Sequence, residues 1–291
     1  MAQITAAMVK ELRERTGAGM MDCKKALGET DGNMEEAIEF LRKKGLAAAA
    51  KKSDRIAAEG AVVAALKDNK SGVILEVNSE TDFVAKNDAF KNFAQELAEL
   101  IIAESPADVD AFMTVKTAGG QTVEEFLNAN VAKIGEKLSI RRFTKLDGNN
   151  VSTYIHMGGK IGVIVNLDGG DEELAKDLCL HIAASNPRYL DESFVDAAYI
   201  EKEKEIFAAK LAEQGKPENM IPNIIKGQVA KLLKEVCLVS QPFVKDPDTT
   251  IEKLLAGKGA KIITYTRYEM GEGIEKKQEN FAEEVARQIK G

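Results

Sequence analysis

The feature that most constrains this chain is an internal duplication. Gly60-Ala61-Val62-Val63-Ala64-Ala65-Leu66 and Gly72-Val73-Ile74-Leu75-Glu76-Val77 are short β-rich runs joined by the polar stretch Lys67 to Ser71, a hairpin signature. A polar stretch and an amphipathic helix follow. The same order returns with Val151 to Met157, the turn Gly158-Gly159-Lys160, the run Ile161-Gly162-Val163-Ile164-Val165, a loop, and a helix from about Glu172 to Ser185. Gly72-Val73-Ile74 aligns with Gly162-Val163-Ile164. A repeated hairpin, loop and helix predicts two similar α+β subdomains with antiparallel sheets, packed side by side.

The two copies differ most in the loop. The second is Asp168-Gly169-Gly170-Asp171, short and without an aromatic, whereas the first is Thr81-Asp82-Phe83-Val84-Ala85-Lys86-Asn87. An aromatic in a polar loop is either the loop's own anchor to the core or an exposed contact, and spacing does not decide between them. Asp82 could equally cap a turn or a helix start. Asn87 is placed to cap the following helix, whose Phe90, Phe93, Ala94, Leu97 and Ile101 form one apolar face. Between the repeats, Val123 to Ile134 is predicted helical and Leu138 to Phe143 a strand of the second sheet.

Before the duplication, Thr5 opens a helix carrying Met8, Val9 and Leu12, broken by Thr16-Gly17-Ala18-Gly19. A second helix places Met20, Cys23 and Leu27 on one face, and Asn33 with Glu36 starts a third that carries Met34, Ala37, Ile38 and Leu41 and is expected to end at Gly45. The Gly-x-Gly before the second helix is no phosphate cradle by pattern, since no strand precedes it and no GxxxxGK[ST] occurs. This unit resembles the three-helix module of ubiquitin-associated domains. Leu46 to Glu59 reads as a helical or flexible tether.

After the second repeat, Asp191 to Gln214 and Glu218 to Cys237 are charged helical patterns separated by Gly215-Lys216-Pro217, as in an antiparallel helical hairpin. Its seams are Ile200, Phe207 and Leu211 on one arm and Ile221, Ile225, Val229 and Leu232 on the other. Pro222 would cost the second arm about 3 kcal/mol in a helix interior, so that arm either starts late or kinks. The chain returns through Gln241 to Val244, a helix at Ile251 to Leu255, and a strand at Lys261 to Met270, then ends in a helix carrying Phe281, Val285 and Ile289.

The expected organisation is therefore an α+β multidomain protein. Residues 1–45 form the three-helix unit, 46–59 a linker, 60–145 the first core subdomain, and 146–188 with 238–270 the second; 189–237 form the inserted hairpin and 271–291 a C-terminal helical module.

Composition narrows the function. The 291 residues carry a net charge of −7, which argues against a general nucleic-acid or anionic-membrane binder. Cys23, Cys179 and Cys237 are few and scattered, which suits a reducing cytosol rather than a disulfide scaffold and makes zinc a poor expectation. His181 in Leu178-Cys179-Leu180-His181-Ile182 reads as a packed histidine, since Cys-x-His lacks the other ligands of a metal site. No stretch approaches the roughly 18 apolar residues of a membrane span, and the N-terminus lacks an apolar leader core. A soluble cytoplasmic protein is expected, with no cofactor and no metal. No nucleophile–base pair or cofactor loop points to an enzyme.

Three runs then carry a resemblance over the whole length. Thr16-Gly17-Ala18-Gly19-Met20-Met21-Asp22-Cys23-Lys24-Lys25-Ala26-Leu27, Glu80 to Asn87, and Gly271-Glu272-Gly273-Ile274-Glu275-Lys276 closely resemble the translation elongation factor Ts family, in that family's order. The resemblance implies a guanine-nucleotide exchange factor without covalent chemistry, whose partner is elongation factor Tu in its GDP-bound and nucleotide-free forms. It implies that Thr81, Asp82, Phe83 and Val84 form the loop that enters the partner near its magnesium and phosphates, with Phe83 as a wedge. It also implies partner contacts at Arg13, Met20, Met21, Lys24 and His156. Against these stand plainer roles: the methionines as bundle core and His156 as a structural edge-strand residue. Ser79 stands where many relatives have Cys. A homodimer or two-to-two complex stays open. The competing reading is a ubiquitin-associated-like adaptor or holdase without exchange activity.

Overall fold

The computed structural model describes residues 4–275. Three helices come first: α1 (Ala6–Thr16), α2 (Met20–Glu29) and α3 (Met34–Ala50). Thr5 and Asn33 cap α1 and α3 through their side-chain oxygens, and Gly17 ends α1 in the left-handed region. Leu12, Cys23, Ala26, Leu27 and Ala37 are the core of the bundle. The helix expected to stop at Gly45 runs on to Ala50, through part of the expected linker. Gly45 is buried there because α3 packs against the helix Val123–Ile134 so closely that a Cβ would sit 3.4 Å from the Asn128 carbonyl oxygen. Tertiary contact overrides the usual helix-ending role of glycine.

The first repeat consists of β1 (Glu59–Lys67), β2 (Ser71–Ser79), α4 (Asp82–Lys86), α5 (Asp88–Glu104), α6 (Val109–Thr114), α7 (Val123–Ile134) and β3 (Ser139–Asp147). The second has β4 (Asn150–His156), β5 (Ile161–Asp168) and α8 (Glu172–Ser185), then α9 (Ala197–Glu213) and α10 (Ile221–Val236), and returns through β6 (Pro242–Phe243), β7 (Asp246–Thr250), α11 (Ile251–Gly257) and β8 (Lys261–Glu269). The sheets are antiparallel, in the orders β1-β2-β3, β4-β5-β8 and the short pair β6-β7. One assignment needs correcting: β3 pairs with β2, from Ser71 opposite Asp147 to Asn78 opposite Ser139, and so belongs to the first sheet rather than the second. A local apolar pattern carries no information about which sheet edge a strand will join.

Strand alternation explains how the repeats meet. Val73, Leu75 and Val77 face the helices α5, α6 and α7, and Val163, Val165 and Leu167 face α8 and α11. The alternate residues Ile74 and Ile164 meet in a shared apolar layer with Val62, Val151, Tyr268 and Met270, so the two sheets pack face to face. The aligned glycines sit where the sheets approach most closely. A Cβ on Gly72 would lie 2.9 Å from Val151 Cγ1, and one on Gly162 would lie 2.3 Å from Val62 Cγ1.

The helices α9 and α10 contact each other, with Leu211 buried and the other expected seam residues only partly so. Pro222 lies in the first turn of α10, where its missing N–H breaks no helical hydrogen bond. That arm therefore starts late instead of kinking. Its base is tied to the core by the bridge between Tyr189 and Cys237. Among the described residues, no helix is long and apolar enough to cross a membrane. The expected terminal helix with Phe281, Val285 and Ile289 lies outside them.

Candidate functional site

The stretch expected as a loop is a five-residue helix, α4, followed at once by α5. Thr81 is its N-cap: the hydroxyl oxygen accepts from the Val84 amide at 3.3 Å. The same hydroxyl donates to Glu136 Oε1 at 2.7 Å, while Glu136 Oε2 accepts from the amides of Glu80 and Thr81 at 3.1 and 3.0 Å. One carboxylate thus takes three donors at the start of a helix, where backbone N–H groups are otherwise unpaired. Glu80 answers by accepting from the Lys137 amide at 2.6 Å and from Arg55. Ser79 donates to the Thr81 carbonyl at 3.0 Å, so its hydroxyl helps hold the turn.

Below this clamp the helix is two-faced. Ala85 is buried and Val84 packs on the core of the first repeat, whereas Phe83 is 82% exposed. The core-anchor role for Phe83 is thereby excluded. A phenylalanine left in water forgoes roughly 1.5–3 kcal/mol that burial would supply. The helix under it is fixed at both ends, since Asn87 both ends α4 and caps α5.

Asp82 does not cap. Its carboxylate pairs with Lys86 at 2.6 Å one turn on, and the hydrogen bond from Lys86, aided by the charge of Lys160, holds its pKa below the usual carboxylate range. Lys160 belongs to the second repeat, in the turn after β4, so a charge of the second repeat's hairpin turn acts on the first repeat's elaborated helix. On that turn Lys160 also pairs with Glu59 at 3.1 Å, and the Gly159 carbonyl accepts from the Val62 amide at 2.8 Å. His156 ends the edge strand β4, partly exposed, with Nδ1 3.0 Å from the Tyr154 hydroxyl. Its neighbour Met157 is 72% exposed with a left-handed φ of 49°.

The remaining expected contacts lie on the bundle. Met20 and Met21 are 60% and 75% exposed, so neither is bundle core, and Met20 does not share the buried face of Cys23 and Leu27 as expected. They occupy the first turn of α2, ahead of its buried stripe. Arg13 and Lys24 are exposed as well. His181 is fully buried, with Nε2 2.9 Å from Gln241 Oε1 and Nδ1 accepting from the Val244 amide at 3.3 Å, as a packed histidine should be.

Sequence reasoning missed Glu136. It lies 55 residues beyond Thr81, after the left-handed Gly135 that ends α7, and no local spacing links the two.

Residues 80–272 match the family model described as Elongation factor TS. Over 292 residues, 99% of each chain, the sequence is 56% identical to a protein named Elongation factor Ts from Thioalkalivibrio sulfidiphilus (strain HL-EbGR7).

Proposed function

The chain belongs to the elongation factor Ts family of translation elongation factors, and from that premise we propose that it is a guanine-nucleotide exchange factor for elongation factor Tu. It binds the GDP-bound form, disturbs the magnesium and phosphate site, and leaves a nucleotide-free complex that GTP resolves. No covalent step is involved.

The observation that carries this reading is Phe83, held out in water on a short helix whose start is clamped by Glu136. A rigid exposed aromatic loses little conformational freedom on binding and gains its burial energy only in the complex. Thr81 and Val84 set the helix, Asp82 supplies charge beside the wedge, and Phe83 does the displacing. Coupling is reciprocal: a factor that weakens GDP binding is itself weakened by nucleotide, so GTP can expel it. A roughly 10⁴-fold mutual weakening corresponds to about 5.5 kcal/mol, a scale that several displaced phosphate and metal contacts can supply.

Arg13, Met20, Met21, Lys24 and His156 are proposed as further contacts to the same partner. The three-helix unit is read as a ubiquitin-associated-like docking module and α9–α10 as an antiparallel hairpin. The division into a linker, two core subdomains and a C-terminal module is kept, with α3 carried through to Ala50. A cytoplasmic setting follows from the partner. Release of labelled GDP from elongation factor Tu, with and without this protein, tests the reading; an unchanged release rate contradicts it.

A further inference from the structure

Glu76 has no solvent exposure. It sits on the central strand β2, on the face that carries Ile74 toward the second sheet. A carboxylate in such a place is costly unless fully paired and hydrogen-bonded. Its partners are Asn78 Nδ2 of the same strand at 3.2 Å and groups from two distant segments: Arg141 Nη1 at 2.9 Å, Arg142 Nε at 2.6 Å and the Gly271 amide at 2.8 Å. Burial pushes its pKa up, and the Gly271 amide and both arginines outweigh that, leaving the carboxyl below its ordinary value.

Both arginines reach onward to the same end of the second repeat. Arg141 donates to the Glu272 carbonyl, and Arg142 Nη2 lies 3.2 Å from the Glu269 carbonyl and 3.2 Å from the Glu272 carboxylate. The Arg142 guanidinium also stacks 4.2 Å over the Tyr268 ring. Gly271 adopts φ +74°, and a Cβ there would lie 2.5 Å from the Ala58 carbonyl oxygen, so the turn is seated closely against the start of the first repeat. This accounts for Gly271-Glu272-Gly273 as a docking turn.

Folding alone does not call for this arrangement. Replacing a buried ion-pair cluster by apolar residues is often neutral or stabilising, and the repeats already share an apolar layer. That layer is non-directional, and the backbone hydrogen bonds that join the repeats beside it, Val62 to Gly159 and Val151 to Asn69, involve neither the end of β8 nor the 271–273 turn. In the duplicated alignment, the position matching Glu76 is the uncharged Asn166, so the charge belongs to one copy only.

We propose that Glu76 is a positioning residue that locks the end of β8 and the 271–273 turn onto the first repeat, fixing the spacing between the Phe83 helix and the His156 turn. The proposal rests on the exchange reading for its functional arm. In the full-length protein, Glu76→Gln keeps the volume and one acceptor but drops the charge and sets an amide against an arginine. Hydrogen exchange at the Gly271 amide should accelerate about tenfold or more, while the amides of α5 keep their protection. The factor concentration for half-maximal GDP release from elongation factor Tu should rise about tenfold, with the limiting rate at saturation unchanged. Phe83→Ala should do the reverse and lower the limiting rate.

Wild-type protection at Gly271 with wild-type half-saturation would overturn the lock, and so would a loss of protection spread evenly into α5. Should Glu76→Gln not fold, Arg141→Lys keeps the charge but cannot bridge Glu76 and the Glu272 carbonyl together, and the same pattern should appear at about threefold. If the wild-type protein itself does not accelerate release, the exchange reading fails, and the hydrogen-exchange arm alone decides the lock.

Discussion

Thr81 and Glu136 stand 55 residues apart in the chain, and the hydroxyl of one meets the carboxylate of the other at 2.7 Å. This contact turns a polar stretch into a fixed helical turn. Its removal by Glu136→Ala strands the amides of Glu80 and Thr81 and the Thr81 hydroxyl, at a cost of about 1–3 kcal/mol locally. Hydrogen exchange should quicken at residues 80–84 with little change in α5. Nucleotide release should slow although Phe83 itself is intact.

The glycines give a prediction of both signs. Gly162→Ala drives a Cβ to 2.3 Å from Val62 Cγ1 between the sheets and should lower stability by about 1–3 kcal/mol. Gly28→Ala, within α2 with open space around it, should raise stability by about 0.5–1 kcal/mol. Urea midpoints at constant slope measure both.

Stability should fall with pH in two windows. Burial lowers the pKa of His181 against the opposing hydrogen bond to Gln241, so the neutral ring stabilises the fold above its unfolded value of about 6.5. The folded state refuses a proton that the unfolded state accepts, and stability declines as pH drops below that point, by up to about 1.4 kcal/mol per pH unit. Glu76, also lowered, contributes above its unfolded value of about 4.3 and loses that contribution as pH falls through the folded one. His181→Gln should flatten the upper window and leave the lower; denaturant midpoints between pH 7 and 3 check both.

Pro222 supplies a test of the α10 start. As a first-turn residue it should tolerate Pro222→Ala within about 0.5 kcal/mol, whereas a mid-helix proline would release about 3 kcal/mol on replacement. Thermal unfolding of the two proteins distinguishes these.

Sequence legibility followed the range of the interactions. The hairpins, the buried stripe Phe90 to Ile101 and the Asn87 cap rest on neighbours within a few residues, and they appear as read. The pairing of β3 with β2, the continuation of α3 past Gly45 and the clamp by Glu136 depend on segments tens of residues away. Local pattern holds no record of those. At the site, the duplication singled out the stretch around Phe83 because the second copy has only the short loop Asp168 to Asp171, without an aromatic, there. It could not tell an exposed ring from a buried one, since Val84 and Ala85 beside it are the residues that anchor.

Phe83 is exposed and contributes little to the fold, so Phe83→Ala should leave the unfolding midpoint within about 0.5 kcal/mol of wild type. Any loss of function then belongs to the partner contact. Stopped-flow release of labelled GDP from elongation factor Tu, at saturating factor, is the most direct measurement. The wild-type protein should accelerate release strongly and Phe83→Ala should lose at least about tenfold of that limiting rate, as expected for about 1.4 kcal/mol of wedge energy. Equal limiting rates for the two proteins would contradict the wedge.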